Sequence, residues 1–180
     1  MKRLTVNQIM DIEPCSRYTR TRVKRLFKGK QYLTLPQIAK LRIPHADRLW
    51  VLLRKDVTDK SVLKSYSIKI LTRAITDHVL HCGIAQAEQW AQNWLRGKGR
   101  TAKSAQKIYD LVQSKRLNLR TVLLTILAAE QLQRLDVQRM VRYITAAVAY
   151  SNEQEFYKMV DKEGCRQIEE FLMCLETKQK

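Results

Sequence analysis

Three runs of Lys and Arg side chains carry the residue types and spacing best suited to chemistry, and that chemistry is the neutralisation of phosphate. Arg17, Arg20, Arg22, Lys24, Arg25, Lys28 and Lys30 form the first. Arg96, Lys98 and Arg100 form the second, on a loop spaced by Gly97 and Gly99 where backbone amides could also approach a phosphate. Lys115, Arg116 and Arg120 form the third. Each such cation can displace counterions from a nucleic-acid backbone. A solvated helix face is the plain alternative for any one run. A second constellation is His78, His81 and Cys82. Two imidazoles three residues apart can share a metal on one helix face. No fourth ligand stands at a diagnostic spacing and the HExxH glutamate is missing, so we read structural histidines near a helix end and assign no metal or other cofactor.

Catalytic motifs do not emerge. The chain has no nucleophile elbow, phosphate-binding loop, dinucleotide fingerprint or spaced carboxylate pair. Asp47 and Asp77 read as isolated acids, and Glu169-Glu170 as a solvated helix face. The expectation is a protein that binds rather than transforms; a cryptic enzyme using His78 or His81 is the third-ranked alternative.

The elements that must position these groups are helical almost throughout. Thr5-Val6-Asn7-Gln8 and Thr34-Leu35-Pro36-Gln37 are capping-box patterns, in which a Thr hydroxyl and a Gln carboxamide satisfy first-turn amides reciprocally. The pattern LT-x-x-QI thus occurs twice, at Leu4 and Leu33, and similar helix starts explain it without a repeat. Tyr18 to Lys28 reads as a helix, with Val23, Leu26 and Phe27 on one face and Arg17, Arg20, Lys24 and Lys28 on another. Residues 35–54 form a helix-turn-helix candidate with its turn near Arg42-Ile43, weakened by the packing role expected of Leu49, Trp50, Leu52 and Leu53 in its second helix. Asp59 or Ser61 caps a helix to about His81; Ile84 to Leu95 is another, carrying Trp90 and Trp94, which with Tyr109 are expected in the core. Thr101, Asn118, Asp136 and Ser151 open the remaining helices, the last with a break expected at Gly164.

Composition bounds the rest. The 180 residues hold 34 Lys and Arg against 17 Asp and Glu, a net charge of +17. The surplus is uneven: residues 1–60 hold 15 basic and 5 acidic side chains, 61–120 hold 11 and 3, and 121–180 hold 8 and 9. Such asymmetry points to a polyanion-facing surface. Hydrophobic residues at 45% exclude global disorder, and 5 Gly with 3 Pro argue against a turn-rich all-β fold. Four scattered cysteines fit a reduced compartment, the most apolar stretch (122–129) is too short to span a bilayer, and no apolar leader follows Met1. A cytoplasmic protein with no membrane association is expected.

One element has a family resemblance. Ile43-Pro44-His45-Ala46-Asp47-Arg48-Leu49-Trp50-Val51-Leu52-Leu53-Arg54 resembles the IP-x-x-DRLWVLLR element of small helical bacteriophage and prophage proteins, some of them labelled immunity proteins. Leu71 to Leu80, the W-x-x-x-WLRGK stretch from Trp90 to Lys98, and Leu4 to Met10 with Pro14-Cys15 are similar to other parts of that family, so that the resemblance spans roughly residues 4–112. It implies a helical accessory protein of a mobile element and transfers no catalytic residues. This chain departs from the family in its mixed rather than alanine-rich residues 113–180 and in its strong basicity.

The sequence therefore predicts a single all-α domain over 1–180, a compact bundle of about eight to ten helices, basic over 1–120 and near-neutral over 121–180. The expected partner is nucleic acid or a nucleoprotein, including a guide-RNA effector of host defence. The alternative is an inhibitor or immunity protein whose basic face meets an acidic protein.

Overall fold

The computed structural model describes residues 2–114, 119–151 and 155–178. Among them are ten helices and one two-stranded ribbon, an all-α architecture as expected. The chain divides into two compact units, residues 1–59 and 60–180. The charge boundary near residue 120 is thus not a structural one.

The N-terminal unit is built from β1 (Arg3–Leu4), α1 (Val6–Asp11), α2 (Arg20–Phe27), β2 (Leu33–Thr34), α3 (Leu35–Ala39) and α4 (His45–Leu52). Its two LT-x-x-QI matches are more than similar helix starts. Their strands pair antiparallel, with Leu4 opposite Leu33 and Arg3 opposite Thr34. Each strand then runs into a short helix through the same local chemistry: the Gln8 Oε1 accepts from the Thr5 amide, and the Gln37 Oε1 from the Thr34 amide, both at 2.9 Å. Leu4, Ile9, Leu33 and Ile38, the apolar positions of the two matches, are all buried. A strand–helix–helix arrangement is therefore used twice, as β1-α1-α2 and β2-α3-α4, around a core completed by Val23, Phe27, Leu49 and Leu52.

The C-terminal unit contains α5 (Lys60–His78), α6 (Ala85–Leu95), α7 (Ala102–Ser114), α8 (Arg120–Arg134), α9 (Val137–Tyr150) and α10 (Phe156–Thr177). Helix α8 packs on α5, α7 and α9, and α10 on α5 and α9. Leu63, Ile70, Ile75, Trp94, Ile126, Met140, Ile144 and Phe171 fill the interior. Trp90 is buried too, whereas Tyr109 is only half-buried. The hydroxyl of Thr101 accepts from the Ser104 amide at 3.1 Å and the carboxylate of Asp136 from the Arg139 amide at 3.1 Å, so both serve as the caps expected of them.

Four local expectations need correction. Helix α10 runs unbroken through Gly164, which is buried; a glycine costs a helix about 0.5–1 kcal/mol relative to alanine, too little to stop one held by packing. Helix α5 ends at His78 rather than near His81. Helix α2 begins after Thr19, whose hydroxyl accepts from the Arg22 amide, so Tyr18 and Arg17 lie outside it. Ser151 does not open the last helix: it is the C-cap of α9, and α10 starts at Phe156 after Glu155. Asn118 and Gln154 fall outside the described residues. No described helix is long and apolar enough to cross a membrane, and all four cysteines are free thiols.

Candidate nucleic-acid interface

The first basic run is built by α2. Val23 and Phe27 bury one side of this helix, and Leu26 is half-buried beside them. Arg20, Thr21, Arg22, Lys24 and Arg25 are all exposed. Lys24 and Arg25 occupy the last turn, where cations oppose the negative end of the helix dipole. Lys28 ends the helix in the left-handed conformation, and Lys30 follows, also exposed.

These cations are not equivalent. Arg20 donates to the Asn7 Oδ1 on α1, and Arg22 donates to the Arg17 carbonyl at 3.3 Å while its guanidinium lies 4.8 Å from the centre of the Tyr18 ring. Lys24, Arg25, Lys28 and Lys30 have no acidic side chain paired with them among the described residues. Arg17 departs from its expected role. Rather than extending the α2 stripe, it forms an ion pair with Asp47 at 2.5 Å. Tyr18 donates to the other Asp47 oxygen at 2.6 Å, and burial, reinforced by that hydrogen bond, pushes its phenol up to about 12. Asp47, read as an isolated acid, is thus the anchor that fixes the connection entering α2 to helix α4.

The helix-turn-helix proposed over residues 35–54 exists as α3 and α4, but its second helix is embedded. Leu49, Val51 and Leu52 are buried, Asp47 is held by Arg17 and Tyr18, and Arg48 donates to the Ala39 carbonyl at 2.8 Å. The preceding pair, α1 and α2, offers the accessible second helix instead. An open concavity beside it is lined by Asn7, Lys24, Lys30 and Gln31.

The second run has a different environment. Gly97 and Gly99 adopt φ of 82° and 66°, left-handed geometry that favours glycine. The Gly97 amide donates to the Trp94 carbonyl at 2.9 Å and the Lys98 amide to the Asn93 carbonyl at 2.8 Å. They close the C-terminus of α6, so these amides are not available to a phosphate as the sequence suggested. Arg100 donates to the Trp94 carbonyl at 2.9 Å and stacks its guanidinium 4.4 Å from the Trp94 ring centre, a structural role. Arg96 and Lys98 remain exposed at a helix C-terminus. In the third run, Arg120 is exposed with its guanidinium 5.1 Å from the Tyr150 ring centre; Lys115 and Arg116 lie outside the described residues.

Sequence reasoning missed a buried polar cluster in the C-terminal unit. Arg73 on α5 grips Glu163 with two hydrogen bonds, at 2.5 and 3.1 Å, and reaches Glu170 at 3.1 Å. Gln167 donates to Glu163 at 2.8 Å and to Thr145 at 3.1 Å. Burial alone would lower the Arg73 pKa, but the two carboxylates outweigh it and raise it. Glu170 is therefore a buried ion-pair member, contrary to the solvated role expected of it, while Glu169 is exposed. The Tyr66 hydroxyl and the His78 Nε2 are buried without a hydrogen-bond partner among the described residues. Burial lowers the His78 pKa, and burial, then Glu170 and Glu163, raises that of Tyr66. Among the described residues, no group of three or more His, Cys, Asp or Glu is placed to hold a metal ion.

No protein-family model, curated protein or solved structure matches the chain.

Proposed function

We propose that this chain binds nucleic acid, alone or within a nucleoprotein, through the exposed cationic side of α2, and acts by occupancy rather than by catalysis. The observation that carries the reading is the outward cluster of Lys24, Arg25, Lys28 and Lys30, none paired with an acidic side chain among the described residues. Cations left in water gain little from their own protein and stay available to displace the counterions condensed on a nucleic-acid backbone. The formal surplus of the N-terminal unit supports the reading: residues 1–59 hold 14 Lys and Arg against 5 Asp and Glu. The resemblance of residues 43–54 to phage and prophage proteins supports an accessory role in a mobile element, with a nucleoprotein of host defence as a target class.

The test is fluorescence anisotropy of labelled duplex DNA, single-stranded DNA and RNA over a salt series. Tight binding of at least one polymer at low salt, weakening steeply as salt rises, is expected. Absence of binding at low salt, or affinity indifferent to salt, contradicts the proposal and favours an acidic protein as the partner of this face.

A further inference from the structure

Resting on the nucleic-acid reading, we infer that α2 is a recognition helix for B-form duplex DNA, entering the major groove with Thr21 and Arg25 at the base edges and its other cations along the phosphates. The argument begins with helix geometry. Successive side chains turn by about 100°. Val23, Leu26 and Phe27 mark the inward side of α2, which puts Thr21 and Arg25 nearest the centre of the outward side. Arg20 and Lys24 then flank this line on one edge and Arg22 on the other.

The hydrogen bonds divide the same way, except that the flanking Lys24 has no partner among the described residues. The flanking Arg20 and Arg22 are steadied by Asn7, the Arg17 carbonyl and the Tyr18 ring. The side chains of Thr21 and Arg25 have no hydrogen-bond or ion-pair partner among the described residues and stay free to meet a ligand. Preoriented flanks with an uncommitted centre suit a helix whose edges set its register on the backbone while its centre reads sequence. An arginine matches the O6 and N7 acceptors of guanine, and a threonine methyl can lie against that of thymine.

Size selects the polymer. An α-helix about 10–12 Å across fits the roughly 12 Å major groove of B-DNA. The major groove of A-form RNA is too narrow to admit it. Single strands are held by stacking on open aromatic rings. The outward side of α2 has no aromatic, and the exposed Tyr32 already has the Arg3 guanidinium 4.3 Å from its ring centre. At eight residues, α2 is about 12 Å long and spans three to four base pairs.

Selection from a random duplex DNA pool, followed by competition with duplex RNA and single-stranded DNA of equal length, tests the inference. The full chain should enrich a short duplex motif and bind it at least about tenfold more tightly than either competitor. Arg25→Ala should lose about tenfold on that motif and erase the preference at one position. Arg25→Lys should keep most of the affinity while relaxing the same position, because it retains charge without the planar fork. Arg20→Ala should weaken every sequence alike. Circular dichroism checks that each variant keeps its helix content. Equal binding of all three polymers, preference for RNA, or an unchanged motif for Arg25→Ala overturns the inference while leaving nucleic-acid binding in place. Failure to bind any polymer overturns both.

Discussion

Helix α2 and the α5–α10 seam handle charge in opposite ways. On α2, exposed cations face water with Val23 and Phe27 as the apolar anchors. At the seam, Arg73, Glu163 and Glu170 are almost fully removed from solvent and bind one another. A buried charge must be paired, because desolvation costs several kcal/mol per ion, and a paired charge has little left to offer a partner. An exposed charge adds little to stability and stays open to a ligand. The same residue type can therefore serve the fold or stay open to a ligand, and whether its charge is paired decides which.

The comparison breaks first, and with the largest effect, at Arg73. Arg73→Met leaves Glu163 buried without its cation and Glu170 with only the exposed Arg166, 3.7 Å away, and should lower the unfolding free energy by about 3–5 kcal/mol in urea denaturation. Replacing all three together with apolar residues of similar volume should recover most of that loss. A small effect of Arg73→Met alone would mean that the seam is wetter than its geometry indicates.

At α2 the sign of the comparison reverses. Lys24→Glu/Arg25→Glu should weaken nucleic-acid binding by roughly 100-fold while leaving stability within about 0.5 kcal/mol. Parallel anisotropy and denaturation measurements separate the two quantities. A large stability loss would show that these side chains hold the fold.

Thr19→Ala sharpens the contrast on the N-terminal side. Losing the hydroxyl that caps α2 should cost about 1 kcal/mol. Hydrogen exchange should rise first at the amides of its opening turn, and uniform protection would argue against a distinct capping role.

The smallest effect concerns His78, which faces Asp77, Arg73 and Glu163 from its half-buried position. Its folded pKa lies below the ordinary 6.5, so the unfolded chain takes up the proton first. Its contribution to stability is complete above 6.5 and is lost as pH falls through that value toward the lower folded pKa. His78→Gln should flatten the stability–pH curve in this window, as equilibrium denaturation at several pH values can read. Parallel curves for the two proteins would remove His78 as the cause.

What could be read from the sequence was local. Thr5, Thr101 and Asp136 announce helix starts because a cap needs only residues two or three positions away. The cations of α2 were legible for the same reason, since Val23, Leu26 and Phe27 define its inward side by spacing alone. Arg17 was misread because periodicity extends a helix past its true start, whereas Thr19 at the cap ends it. Thr21 carries no charge, so nothing in its type marks it as a site residue. The Arg73–Glu163–Glu170 cluster joins residues 90 and 97 positions apart, and nothing beside Glu170 in the chain distinguishes a buried partner from a solvated acid. The pairing of Leu4 with Leu33 was equally hidden, although the repeated LT-x-x-QI pattern was its trace.

The central claim concerns where the available positive charge sits, and the salt dependence of duplex DNA binding measures this most directly. Each phosphate that the protein ceases to neutralise should reduce the slope of log K against log salt by about 0.9. Lys24→Ala/Arg25→Ala should flatten the slope by the equivalent of about one phosphate, that of Lys24, since Arg25 is placed at a base edge, whereas Arg96→Ala/Lys98→Ala, at the C-terminus of α6, should leave it near the wild-type value. The reverse result, a slope carried by Arg96 and Lys98 and indifferent to Lys24 and Arg25, would contradict the assignment of the interface to α2.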